Sequence, residues 1–173
     1  MKQNDYIKLA LLELGFRYGD EDLEESESYK IGGSLLESIV NKYNLDENLP
    51  YNLRLIKPAL SESKYKEKEG FYTYVKPPKC LKTLTRNITE YGDLILSKIP
   101  NLELEYLENM SLEEIPGAYQ RIITLELAMR MAKAVGKPKS IQAIYALQQE
   151  EYQNLTFTES LTIDLEDSQD DRF

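Results

Sequence analysis

With 173 residues and 30 Asp and Glu against 21 Lys and Arg, the chain is long enough for one real core and carries a formal charge of -9, which disfavours unspecific binding to phosphates. It has no histidine and one cysteine, Cys80, so Ser-His and Cys-His nucleophile pairs, an internal disulfide and the usual zinc ligand sets are excluded, and neither metal nor cofactor is expected. No apolar run approaches the roughly 18 residues of a membrane span, and the charged start MKQNDYIKLALLELGF does not read as a signal peptide, so a soluble protein made in a reducing cytoplasm is expected.

Asn4 or Asp5 predicts the cap of a first helix in which Ile7, Ala10, Leu11 and Leu14 share a face, ended by Gly15. After the acidic stretch from Gly19 to Glu25, Ser26 or Ser28 predicts the start of a second helix with Ile31, Leu35, Leu36, Ile39, Val40 and Tyr43 facing inward. Gly32-Gly33 inside that pattern weakens the helix by about 1 kcal/mol each and points to a kink or to close approach of another backbone.

The segment from Tyr51 to Leu60 reads as extended until Pro58, and Phe71 to Val75 has strong strand preference that stops at Pro77-Pro78. Tyr91-Gly92-Asp93 reads as a turn. Leu94 to Lys98 and the alternating Leu102, Leu104 and Tyr106 then predict two strands joined as a hairpin across Pro100-Asn101.

From Ser111 to Gly136 the chain reads SLEEIPGAYQRIITLELAMRMAKAVG. Ser111 and Glu114 have capping-box spacing, Pro116 suits a first helical turn, and Gly136 with Pro138 supplies the stop. Ala118, Ile122, Leu125, Met129 and Ala132 form one apolar row, and Tyr119, Ile123, Leu127, Met131 and Val135 form a second. Together they predict a helix buried on most sides, with Gln120, Arg121, Thr124, Glu126, Arg130 and Lys133 in a thin wet strip and Ile122, Leu125, Met129 and Ala132 as core. Ser140 predicts the cap of a further helix carrying Ile141, Ile144, Tyr145, Leu147 and Gln148. Beyond Asn154, Leu161, Ile163 and Leu165 alternate with Thr162, Asp164 and Glu166 in the manner of a strand.

The expected fold class is therefore α+β, mainly α: three to four helices bundled around a long central helix, with a small antiparallel sheet or hairpin and an extended C-terminal tail. Its expected division is one domain over 1–155, with a β insertion at about 51–107, and an acidic tail over 156–173.

Little in this pattern carries chemistry. Glu113/Glu114 and Glu150/Glu151 are adjacent in sequence and diverge around a helix, so they do not converge on one bond, and Cys80 reads as a half-buried structural cysteine. The expectation is that the chain is not an enzyme. Two charged segments stand out: the basic stretch from Lys57 to Arg86, with Lys64, Tyr65, Lys66 and Lys68 at its centre, and the acidic end after Glu159. The basic group predicts contact with a neighbouring subunit or its acidic tail. Leu161, Ile163 and Leu165 with Asp164 and Glu166 predict a docking tail.

Three blocks carry a resemblance. FYTYVKPPKCLKTLTR, EYGDLILSKIPNLELEYLENM and SLEEIPGAYQRIITLELAMRMAKAVG resemble the aromatic strand, the G-x-x-I hairpin with its L-x-Y strand, and the acidic-P-x-x-[FY] lead into a long helix of the tail tubular protein A family of short-tailed bacteriophages. The resemblance covers residues 5 to 153 in layout. It implies a structural virion protein, a head-to-tail adaptor or connector at the neck, made in the host cytoplasm. It implies a homo-oligomeric ring of twelve copies between the portal protein and the tail nozzle, through which DNA passes without specific binding and which meets no membrane. It also implies that the C-terminal end reaches along the portal. Net negative charge suits such a lumen, because each phosphate neutralised by Lys or Arg would hold the passing DNA. The rival expectations are an acidic DNA mimic that inhibits a DNA-binding protein, and a small carboxylate-using enzyme.

Overall fold

Three- and four-residue apolar spacing at the two ends of the chain and alternating polarity in its middle sort the molecule into two compact units. Unit 1 is Met1–Val40 with Leu112–Phe173, and unit 2 is Asn41–Ser111. The computed structural model describes residues 1–17, 26–47, 51–61 and 70–167, with side chains as far as residue 155.

In chain order the elements are α1 (Gln3–Glu13), α2 (Glu27–Asn44), β1 (Leu53–Ile56), β2 (Tyr72–Val75), β3 (Cys80–Thr83), β4 (Ile88–Tyr91), β5 (Leu94–Ser97), β6 (Leu104–Glu108), α3 (Gly117–Ala134), a 3-10 turn (Pro138–Ser140) and α4 (Ile141–Asp167). At about 48% helix and 19% strand the fold is α+β, but it is not a helical bundle around a long central helix. The middle of the chain builds two three-stranded antiparallel sheets where one small sheet was expected. The longest helix is α4, at 27 residues, which takes up most of the expected extended tail. The physical reason lies in the residues after Lys139, where neither Gly nor Pro occurs to stop a helix begun at Ile141.

Helix starts and stops follow local chemistry. Asp5 accepts the Lys2 backbone N–H at 2.9 Å from within the first turn of α1, and Ser26 Oγ accepts the Tyr29 N–H at 3.1 Å ahead of α2. Pro116 lies just outside α3, so Ser111 and Glu114 belong to the turn before it and do not cap the helix. At its other end Gly136 adopts φ +74°, and the Lys137 N–H returns to the Ala132 carbonyl at 2.7 Å.

Helix α3 is fully buried through its middle, including Ile122, Ile123, Leu125, Leu127 and Ala132, whereas Met129 is half-buried and its neighbour Met131 is fully buried. Thr124 and Glu126, expected in a wet strip, are buried too. Thr124 Oγ1 donates to the Gln120 carbonyl at 2.8 Å, and Arg130 donates to Glu126 Oε1 at 2.6 and 3.1 Å, so both polar groups are satisfied within the helix. Tyr6, Ile7, Ala10 and Leu11 bury one face of α1, and Arg121 ties α3 to Glu13 at 2.6 Å and to Glu151 at 3.8 Å.

The glycine pair in α2 answers to side chains, not to another backbone. A Cβ at Gly32 would stand 3.1 Å from Ile7 Cγ2 and 3.3 Å from Met131 Cε, inside the packed core, whereas one at Gly33 would meet only the amide end of Gln3 at 2.8 Å. That amide can swing away, so Gly33→Ala is expected to raise stability by about 0.5 kcal/mol through helix preference, while Gly32→Val lowers it by roughly 1–3 kcal/mol through overpacking. Chemical denaturation of the two variants checks the opposite signs.

In unit 2 the strand orders are β1-β6-β3 and β2-β5-β4. The expected hairpin of 94–98 with 102–106 does not form, because β5 pairs with β2 and β4 while β6 pairs with β1 and β3. Tyr74 explains the parting. Its buried hydroxyl donates to the Ile99 carbonyl at 2.7 Å and accepts the Leu102 N–H at 3.4 Å, and Asn101 turns at φ +59°, so the chain leaves one sheet for the other there. Tyr74, Ile95, Leu102, Leu104 and Tyr106 form the core shared by the two sheets, with Ile56, Cys80 and Ile88 against it.

Candidate functional site

The residues singled out in the sequence fall in three places. Lys64, Tyr65, Lys66 and Lys68 lie outside the described residues. Leu161, Ile163, Asp164, Leu165 and Glu166 lie within the helical backbone of α4, which corrects the strand-like reading, since a helix does not keep alternate residues on one side. Of the expected core, Ile122, Leu125 and Ala132 are fully buried.

Two polar constellations of unit 2 escaped the sequence reading. The first links the sheets. Lys76 Nζ donates to Glu90 Oε2 at 2.5 Å, and Thr83 Oγ1 donates to the other carboxylate oxygen, so a residue of β4 is held from the end of β2 and from β3. The Lys76 hydrogen bond, then that from Thr83, holds the Glu90 carboxyl below its usual 4.5, and the same Glu90 bond raises Lys76 above its usual 10.5. Burial pushes the neighbouring Cys80 thiol up from 9.0 against the opposing pull of Lys76, which favours the protonated thiol over a nucleophilic thiolate.

Because Glu90 ionises more readily in the folded chain than in the unfolded one, its contribution to stability is fully present above the ordinary carboxylate range and is lost as pH falls through its lowered folded value. The Lys76 contribution is present below 10.5 and is lost as pH rises through its raised value. Glu90→Gln is therefore expected to flatten the acid limb of a plot of denaturation midpoint against pH. An acid limb identical to that of the parent chain would show that the bond adds nothing.

The second constellation is an asparagine network. Asn44 Nδ2 donates to Asn109 Oδ1 at 3.2 Å and to the Met110 carbonyl at 3.0 Å, while Tyr51 donates to Asn44 Oδ1 at 2.8 Å. Fully buried Asn52 donates through Nδ2 to the carbonyls of Asn44 at 2.8 Å and Glu108 at 2.6 Å. Its backbone carbonyl accepts the Glu108 N–H at 2.9 Å. The network fastens the last turn of α2 to β6 and to the turn that leads into β1. Its members stand far apart in sequence and share no period, so only the asparagine-rich run NLDENLPYN hinted at it.

A cleft of about 300 Å³ lies between residues 57–60 and the turn at 100–102, with Tyr72, Tyr74 and Leu102 in its lining and Lys57 and Asn101 as polar groups. It is an apolar recess and brings no two carboxylates together. Among the described residues no cluster of Cys, Asp and Glu is arranged to hold a metal ion, and no helix is long and apolar enough to cross a membrane.

Large apolar side chains stand outside on both units, Leu55 and Leu60 of unit 2 being the most exposed of them among the described residues. Leu9 and Leu12, three residues apart on α1, are exposed, Leu12 to 52%, and on α4 Tyr145 is exposed to 54% and Leu147 to 41%. Over the stretch whose side chains are described, α4 buries only Ile144 and Gln148, the latter donating to the Ile122 carbonyl at 3.2 Å. Charge is divided unevenly as well, with ten Lys and Arg against twenty Asp and Glu in unit 1, and eleven against ten in unit 2. The chain matches no protein-family model and no curated protein.

Proposed function

We propose that the chain is a structural subunit of a bacteriophage virion, a head-to-tail adaptor acting as one of twelve copies in a ring between the portal protein and the tail, with DNA passing through unbound. The observation that carries this reading is the set of large apolar side chains left outside on α1 and α4, on a chain whose negative charge would otherwise keep copies apart. Such side chains are what a subunit needs if its free energy of interaction goes into contact with neighbours. The uneven charge supports a head-to-tail arrangement, because a strongly acidic unit and a near-neutral one offer different surfaces to successive copies.

The test is the mass of the full chain alone and with the portal and neck proteins of its virion, measured by mass photometry. The expected result is a portal-bound species holding many copies, weakened by salt as opposite charges are screened. Removal of residues 159–173 is expected to abolish portal binding. A chain that ignores the portal at every ratio, or that turns over a substrate, would overturn the reading.

A further inference from the structure

The sheet β2-β5-β4 has one face on the core of unit 2 and one turned away from it. Side chains alternate across a strand, and the pairing fixes the rows. Tyr74, Ile95 and Glu90 stand together on the core side. The outer face carries the row Thr73, Leu96, Thr89 and the row Val75, Leu94, Tyr91. One step beyond, Lys98 lies over the Phe71 ring at 5.1 Å.

These eight side chains include no carboxylate, in a chain with 30 Asp and Glu, and their only charge is the single ammonium of Lys98. Val75 and Tyr91 are well exposed, and Leu94 and Leu96 of the central strand are half-buried. Two copies of net charge -9 repel across most of their surfaces, but over this face no carboxylate opposes another.

We propose that this face packs against the same face of a second copy, about a two-fold axis that crosses the three strands at the Thr73–Leu96–Thr89 row. Leu96 then meets Leu96 of the second copy. The Lys98 end of each sheet lies over the opposite end of the other, where a Tyr91 ring offers a cation–π partner. Four residues of strand separate the two ammonium groups by about 14 Å, beyond the screening length of roughly 8 Å at physiological salt.

The opposite two-fold, parallel to the strands, would set Lys98 on Lys98 and is disfavoured. The covered patch has a footprint of roughly 200 Å², well below the roughly 800 Å² per partner of a stable interface, so the pair is weak and forms at high concentration. Because an isologous contact closes at two, it is separate from the ring contacts and does not depend on them.

The experiment is sedimentation equilibrium of the full chain without portal, over a wide concentration range at two salt concentrations, together with a cross-link. The expected result is a monomer–dimer equilibrium that added salt strengthens, since salt screens the repulsion between acidic copies, opposite in sign to the salt response of the proposed ring. Leu96→Asp is expected to weaken pairing at least tenfold, and Thr89→Lys, on the exposed edge of the same face, does the same if the first variant fails to fold. In a Cys80→Ser background, Leu96→Cys is expected to give a covalent dimer with a short bismaleimide, whose reach spans the roughly 10 Å between two stacked sheets, while Ala118→Cys, at an exposed position of α3, remains single. A chain that stays monomeric throughout, variants that pair as the parent does, or a Leu96→Cys chain that does not cross-link would overturn the proposal, whatever becomes of the ring.

Discussion

Replacing Leu125 by Asp is expected to abolish the cooperative unfolding transition of unit 1. Leu125 is fully buried on α3 between Ile122 and Ala128, themselves fully buried. Loss of its burial costs about 1.5–3 kcal/mol, and an unpaired carboxylate at the same place costs several more, against a total stability of about 5–15 kcal/mol for a domain. Neighbouring polar groups offer no rescue, since Arg130 is already held by Glu126 and Thr124 by the Gln120 carbonyl. Thermal melting followed by helix ellipticity is the measurement, with Ala118→Asp, at an exposed position of the same helix, as the comparison that should melt like the parent. A Leu125→Asp chain melting within a few degrees of the parent would show that α3 is not the buried helix of its unit.

The second large effect belongs to unit 2. Asn52→Asp preserves size and removes no packing, but it places a carboxylate oxygen where Nδ2 now donates to the carbonyls of Asn44 and Glu108. Two buried carbonyls lose their donor and face negative charge instead, at a cost of roughly 3–5 kcal/mol. Burial among acceptors raises the pKa of the introduced carboxyl above the unfolded value of about 3.9, so the variant recovers stability relative to the parent as pH falls through that raised value, when the protonated acid again donates one hydrogen bond. Denaturation midpoints of parent and variant, compared between neutral and acid pH, check both the size and the sign. A constant gap across that range would mean that the network does not hold Asn52 by donation.

How much of this was legible from the residues depends on the range of the interaction. The apolar faces of α1 and α2, the cap at Ser26, the stop at Gly136 and the turn at Gly92 are set by neighbours within one helical turn or one reversal, and each stands where its local pattern placed it. The parting of β5 from β6 was not legible, because it turns on the Tyr74 hydroxyl, more than twenty residues from the carbonyl it bonds. Strands of four or five residues also carry too little alternation to choose between partners.

Burial of Thr124 and Glu126 contradicted a reading by polarity, since the Gln120 carbonyl and Arg130 satisfy them one turn away. Tail residues Leu161, Ile163 and Leu165 showed three alternations, too few to outweigh a helix already running toward them with nothing to break it. The polar link through Glu90 and the asparagine network were hidden for the same reason as the sheet partners. Their members meet only once the strands have paired.

Unit 2 is one unbroken stretch, Asn41–Ser111, whereas unit 1 is drawn from both sides of it. A ribosome therefore delivers the strand-rich piece whole before any residue of α3 exists, and that piece is free to condense as it emerges. Helices α1 and α2 must wait, with Tyr6, Ile7, Leu36 and Ile39 bare in the nascent chain. During that interval the apolar side chains of the N-terminal forty residues stay open to water, and slowing translation beyond Ser111 lengthens their exposure.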